Sequence, residues 1–148
     1  METKIAHDCL ALGRLCERHA RYRPRHAAVI APAGTREVRL DWREFDAYVN
    51  RWANALASLG VSRGDRVATL LPNSIELVAS YWACFKLGAA AVPLSTLLNA
   101  GGLASLLADA NPRAIVSTGD LRGMLDEVRA GGVAPDAALI SVRQSSSA

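Results

Sequence analysis

The feature that most constrains this chain is an alternation beginning at Arg66. Short apolar runs at 66–71, 89–94, 114–117 and 138–142 are separated by helical stretches at 75–87, 101–110 and 120–130. Pro72-Asn73-Ser74, Gly88 and Asn111-Pro112 punctuate the changes. The runs are apolar at successive positions, so both faces of each strand must be covered, and helices between strands provide the cover. The pattern predicts an α/β fold: a mostly parallel sheet with helices on both faces.

An N-terminal helix and a β-hairpin precede this unit. Residues 9–22 carry Leu12, Leu15, Cys16 and His19 at helical spacing and stop before Pro24. Residues 27–31 and 37–40 read as strands joined across Pro32-Ala33-Gly34-Thr35. Asp41 and Glu44 then have the spacing of a capping box. Phe45, Val49, Trp52, Leu56 and Leu59 follow on one helical face, and Gly60 is placed to end that helix. No composition shift interrupts the chain. Residues 1–142 read as one unit, a partial domain, and residues 143–148 as a polar tail.

Composition narrows the function classes. Of 148 residues, 51% are hydrophobic and 21% charged, which excludes wholesale disorder. A net charge of +3 is too weak to announce a nucleic-acid binder, and no nucleic-acid partner is expected. The first residues do not resemble an export signal. The uncharged stretch 87–108 is long enough to span a bilayer, but Gly88, Pro93, Gly101 and Gly102 break it, so no transmembrane segment is expected. Cys9, Cys16 and Cys84 have no paired spacing and fit a reduced, cytoplasmic protein.

Chemical motifs are scarce. The turn after the first parallel strand, Pro72-Asn73-Ser74, lacks the glycines that let backbone N–H groups approach phosphates, so Asn73 or Ser74 is read as a helix cap. His7, Cys9, Cys16 and His19 suggest zinc, yet on one helix Cys9 and Cys16 stand about 10.5 Å apart along the axis. Two zinc donors are separated by at most about 4.6 Å, and no metal site is expected. Eight arginines between Arg14 and Arg43 face three acids, a local +5 that reads as a solvated face without interleaved aromatics. No serine lies in a nucleophile elbow, and Lys86 is expected to snorkel to solvent from an apolar helix. From the residues alone no active site is visible.

One ordered series goes further. Asp41-Trp42-Arg43-Glu44-Phe45, Asn50-Arg51-Trp52-Ala53-Asn54-Ala55-Leu56, Gly64-Asp65-Arg66-Val67-Ala68, Leu71-Pro72-Asn73-Ser74, Lys86-Leu87-Gly88-Ala89 and Val92-Pro93-Leu94 follow one another. In this order and spacing they resemble the N-terminal portion of the AMP-forming adenylate superfamily, which includes acyl-CoA synthetases. Asp41 stands where Thr is usual and Ser95 where Asn is common.

The resemblance implies a parent reaction in which a carboxylic acid and Mg-ATP give an acyl-adenylate that passes to coenzyme A. The family's phosphate loop, its aromatic-Gly-x-Thr-Glu motif, its ribose-holding Asp and its C-terminal lysine do not occur among these residues. Ser117-Thr118-Gly119-Asp120 is the nearest approach to the loop. It therefore implies no catalytic residue here, no assignable cofactor-binding residue, and no cofactor for this segment alone; ATP, Mg2+ and CoA belong to the parent. The expectation is an N-terminal fragment, inactive alone, that pairs with the downstream remainder or self-associates through exposed apolar surface. An autonomous small-molecule or nucleotide-binding module, or a regulatory partner of a full-length synthetase, are the alternatives.

Overall fold

A computed structural model describes residues 12–33 and 36–143. A 3-10 turn at Leu12–Arg14 leads into α1 (Leu15–Tyr22), then β1 (Ala27–Ala33), β2 (Arg36–Asp41) and α2 (Trp42–Ser58). The alternation follows as β3 (Arg66–Leu70), α3 (Ile75–Leu87), β4 (Ala90–Pro93), α4 (Ala100–Ala110), β5 (Ala114–Thr118), α5 (Arg122–Ala130) and β6 (Ala138–Val142).

The helix starts lie where side chains can replace missing backbone partners. Asp41 accepts from the Glu44 amide at 2.8 Å while Glu44 accepts from the Asp41 amide at 3.0 Å, completing the box before α2. Ser74 caps α3 and Asn99 caps α4 in the same way. Leu59 caps α2 at its C-terminal end, and Gly60 follows in the left-handed region. Gly88 ends α3 at φ 70°, where an added Cβ would stand 3.1 Å from Arg63 Cγ. The helix expected over 120–130 instead begins as a 3-10 turn at Gly119–Leu121, and no side chain caps α5. The helix expected from residue 9 is regular from Leu15 only; residues 9–11 lie outside the described ones.

β1 and β2 form a separate antiparallel hairpin, each strand longer than expected, with a bulge between Ala27 and Val29. The other four strands form one sheet in the order β4-β3-β5-β6, every pairing parallel. The chain thus moves from β3 to β4, then returns past β3 to lay down β5 and β6. Right-handed crossovers put helices on opposite faces when travel reverses. The core divides accordingly. Val67 and Leu71 pack with Phe45, Val49, Leu56, Ala79 and Ala83 on the α2–α3 side, whereas Ala68 and Leu70 meet Leu103, Leu107 and Leu125 on the α4–α5 side. Each fully buried Phe or Leu of these layers contributes about 1.5–3 kcal/mol relative to exposure.

One sequence expectation fails at the sheet margin. Residues 89–94 were expected to be buried on both faces, as residues 67–71 are. β4 is an edge strand, however, with Ala90 and Pro93 exposed, because nothing pairs with its outer side among the described residues. Proline is tolerated there for the same reason.

Candidate functional site

The reversal of winding between β3 and β5 leaves a crevice where the two crossovers diverge at the strands' carboxyl ends, the usual ligand position in open α/β sheets. Here it is a depression of about 160 Å3 lined by Leu71, Pro72, Ser74, Glu76, Thr118, Val142 and Arg143. Thr118 is buried at the end of β5, in the segment that most nearly approaches a phosphate loop. Glu76, in the first turn of α3, accepts from the Tyr48 hydroxyl at 3.4 Å. Burial pushes the Tyr48 hydroxyl above its ordinary pKa; the Trp52 hydrogen bond opposes that shift and the Glu76 carboxylate adds to it. The Arg51 guanidinium lies 5.2 Å from the centre of the Tyr48 ring. Glu76 also lines a neighbouring groove of about 480 Å3 with Leu40, Tyr48, Arg51 and Ile75.

These residues do not make a nucleotide site by themselves. Ligand pockets for small molecules and cofactors run to about 300–1,000 Å3, above the crevice volume. Ser74 Oγ is occupied with the Leu77 amide at 3.2 Å, the turn has no glycine, and the Glu76 carboxylate would repel a phosphate. The motifs singled out in the sequence are structural instead. Asp65 accepts from the Ser62 amide at 2.8 Å and from its hydroxyl at 2.9 Å, chiefly the backbone bond holding its carboxyl below the usual range. Arg66 reaches across to the end of α4, donating to the Ala110 carbonyl at 2.6 Å and the Asn111 carbonyl at 3.0 Å. Cationic donors suit carbonyls left open at a helix C-terminus.

Lys86 is a correction. Its amine does not snorkel: Nζ lies 2.6 Å from Asp46 Oδ1 and 2.6 Å from Asn50 Oδ1, with the Lys86 and Asp46 side chains each 16% exposed. Asp46 and Asn50 sit one turn apart on α2, which packs along α3, and their separation of 36 to 40 residues from Lys86 hides the pairing in sequence.

Of the suggested zinc donors, His7 and Cys9 lie outside the described residues. His19 stacks on Trp42 at 4.4 Å, and burial pushes the Cys16 thiol up to about 12. Among the described residues no group of three or more candidate donors could hold a metal, and no helix is long and apolar enough to cross a membrane. In the arginine-rich stretch Arg18, Arg21, Arg23, Arg25, Arg36, Arg39 and Arg43 are exposed, as a solvated face requires. Tyr22 stands between Arg21 and Arg23, is 71% exposed, and has the Arg21 guanidinium 5.8 Å from its ring centre, so one aromatic is set among these arginines.

A doubly wound sheet with its crevice at the switch point, preceded by a hairpin and a capped helix, places the chain in the open α/β class without supplying catalytic chemistry. The chain belongs to the AMP-binding enzyme family, whose model matches residues 16–146. It is 34% identical over 119 residues to the long-chain-fatty-acid–CoA ligase FadD13 of Mycobacterium tuberculosis, covering 80% of this chain and 23% of the relative. An acetyl-coenzyme A synthetase of Thiobacillus denitrificans is 35% identical over 124 residues, with 82% and 18% covered. Among solved structures, the N-terminal domain of FACL13 from Mycobacterium tuberculosis superposes with a TM-score of 0.81 at 31% identity, covering 88% of this chain and 33% of that one. The chain corresponds to an N-terminal region of AMP-forming acyl-CoA ligases and spans about a quarter or less of the length of these curated relatives.

Proposed function

We propose that residues 1–142 are the N-terminal subdomain of the AMP-binding domain of an acyl-CoA ligase, that residues 143–148 are a polar tail to it, and that this piece alone forms no adenylate. In the parent reaction a carboxylate attacks the α-phosphorus of ATP, giving acyl-adenylate and pyrophosphate, and coenzyme A then displaces AMP. ATP, Mg2+ and CoA belong to that reaction. This segment supplies the scaffold: a rigid switch-point sheet whose carboxyl ends face the rest of the domain.

The observation that carries the reading is the use to which the family-like motifs are put. Asp41 and Glu44 cap a helix, Asp65 and Arg66 tie loops, and Ser74 caps another helix. Among the described residues the crevice has the Thr118 and Arg143 side chains as donors beside the Glu76 carboxylate, without the glycine-rich turn and lysine that would stabilise charge on a transferring phosphate. ATP–pyrophosphate exchange with a panel of fatty and aromatic acids is expected to match a protein-free blank. Acid-dependent exchange above that blank, with contaminating synthetase excluded, refutes the proposal.

A cytoplasmic location, and association with the remainder of a ligase or with a second copy, complete this reading. The alternative is an autonomous α/β module that binds a small molecule or nucleotide at the carboxyl ends of its parallel strands. A nucleotide-dependent rise in melting temperature would select it, and co-purification with a full-length synthetase would select a regulatory partner.

A further inference from the structure

The groove of about 480 Å3 beside the crevice is walled on one side by a single stripe of α2. Glu44, Ala47, Tyr48 and Arg51 recur there at the three- and four-residue spacings that align side chains along a helix. Glu44, Ala47 and Arg51 are exposed and Tyr48 is half-buried, while Phe45, Val49, Ala53 and Leu56 hold the opposite face in the core. The two charges of the stripe cannot meet within one chain. Seven residues of helix hold Glu44 and Arg51 about 10.5 Å apart along the axis, and an ion pair needs about 4 Å. The Arg51 guanidinium lies 5.2 Å from the centre of its own Tyr48 ring and forms no ion pair with a described residue. Glu44 accepts the Asp41 amide at 3.0 Å through Oε2, and its Oε1 accepts from no described residue.

We propose that this stripe of α2 is the contact surface of a twofold dimer of the chain. The stripe is its own complement. Glu44 and Arg51 stand symmetrically about its midpoint, which falls between Ala47 and Tyr48. A second copy of α2 laid antiparallel across that midpoint sets Glu44 against the partner's Arg51 and Arg51 against the partner's Glu44. At the centre Ala47 meets the partner's Tyr48, and the small side chain lets the axes approach to the usual separation of about 8–10 Å. One surface thus supplies both halves of the contact, as a twofold axis requires. The proposal rests on the reading that the piece associates with a second copy, and it gives that association a surface and a symmetry. Leu106 lies on α4, across the sheet from α2, so this contact is distinct from the apolar surface there.

The test is sedimentation equilibrium of the whole 148-residue chain. Two short helices bury less than about 1,200 Å2, the range of transient complexes, so concentrations run from about 10 µM to 1 mM. Arg51→Glu turns both charge contacts of the dimer repulsive and should weaken it about 30-fold. Glu44→Lys should do the same from the other side. Their equimolar mixture should associate within about threefold of the parent, because each mixed pair again sets an acid against a base. Raising salt from about 0.05 M to 0.5 M should weaken the parent dimer and strengthen that of Arg51→Glu, since screening removes attraction from one and repulsion from the other. Ala47→Gln, at an exposed position and with a good helix former, fills the central seat and should weaken the dimer several-fold without touching a charge. Far-ultraviolet circular dichroism of each variant separates a lost contact from a lost fold; Glu44→Lys gives up its bond to the Asp41 amide, whereas Arg51→Glu and Ala47→Gln leave that cap intact. Self-association that Arg51→Glu and Ala47→Gln leave unchanged would overturn this surface and keep the second-copy reading. A mixture no tighter than its components would also overturn the pairing, and a parent monomeric at about 1 mM would overturn both.

Discussion

Replacing Lys86 with Met tests the α2–α3 seam most directly. Methionine keeps most of the apolar stem and removes the ammonium, so the change isolates two contacts, Nζ to Asp46 Oδ1 and Nζ to Asn50 Oδ1, both 2.6 Å. Hydrogen bonds to charged groups are worth about 1.5–3 kcal/mol. Breaking a fully buried ion pair costs about 3–5 kcal/mol because the remaining charge is stranded. Asp46 is 16% exposed and keeps the Asn50 Nδ2 donor at 3.1 Å, so its stranding is partial. The expected loss is therefore about 2 kcal/mol, a urea midpoint lower by about 1 M at a slope near 2 kcal/mol per M. The double variant Asp46→Leu, Lys86→Met should recover most of it, since replacing both partners by apolar groups removes the stranded charge. Urea unfolding followed by tryptophan fluorescence gives all three values. A Lys86→Met variant within about 0.5 kcal/mol of the parent would refute the seam and restore the snorkelling lysine expected from sequence.

Three further outcomes follow from the same packing. Thr69 is fully buried on β3 and its hydroxyl has no partner among the described residues; Thr69→Val should raise stability by about 1 kcal/mol, and a destabilised variant would reveal a bond to this hydroxyl. The thiols of Cys16 and Cys84 are pushed up by burial to about 12 and about 11, from 9.0. The fold thus holds protons that the unfolded chain releases; this stabilisation is complete below pH 9 and lost as pH rises through 11 to 12. The melting temperature should fall steeply across that window and less steeply in Cys16→Ala, Cys84→Ala, and denaturation in alkylating reagent without reductant should label all three cysteines; equal slopes or a single label would refute this. Among the described residues, Leu97 at 93% exposure, Leu106 at 43% and the outer edge of β6 leave apolar surface and strand hydrogen-bonding groups uncovered. The isolated chain should self-associate and bind a hydrophobic dye, and a sharply melting monomer with no dye signal in light scattering across a concentration series would exclude it.

What the sequence by itself determined is what neighbours along the chain decide. The Asp41–Glu44 box, the Ser74 cap and the left-handed Gly88 each join residues at most four apart, so spacing and side-chain chemistry suffice to place them. The alternation of apolar runs and helices likewise fixed the α/β class, because a strand apolar on both faces needs two covers. Only the tertiary structure decided which strand lies beside which. The order β4-β3-β5-β6 depends on the return of the chain after β4, and it made β4 a half-exposed edge although its sequence reads as buried as that of β3. The fate of charged and aromatic side chains was decided there too. Lys86 found Asp46 across 40 residues because α2 and α3 pack side by side, and Tyr22, the last residue of α1, lies outside the core at 71% exposure. Burial and long-range pairing are properties of the packed layers, and a local sequence pattern states the need for a partner without identifying it.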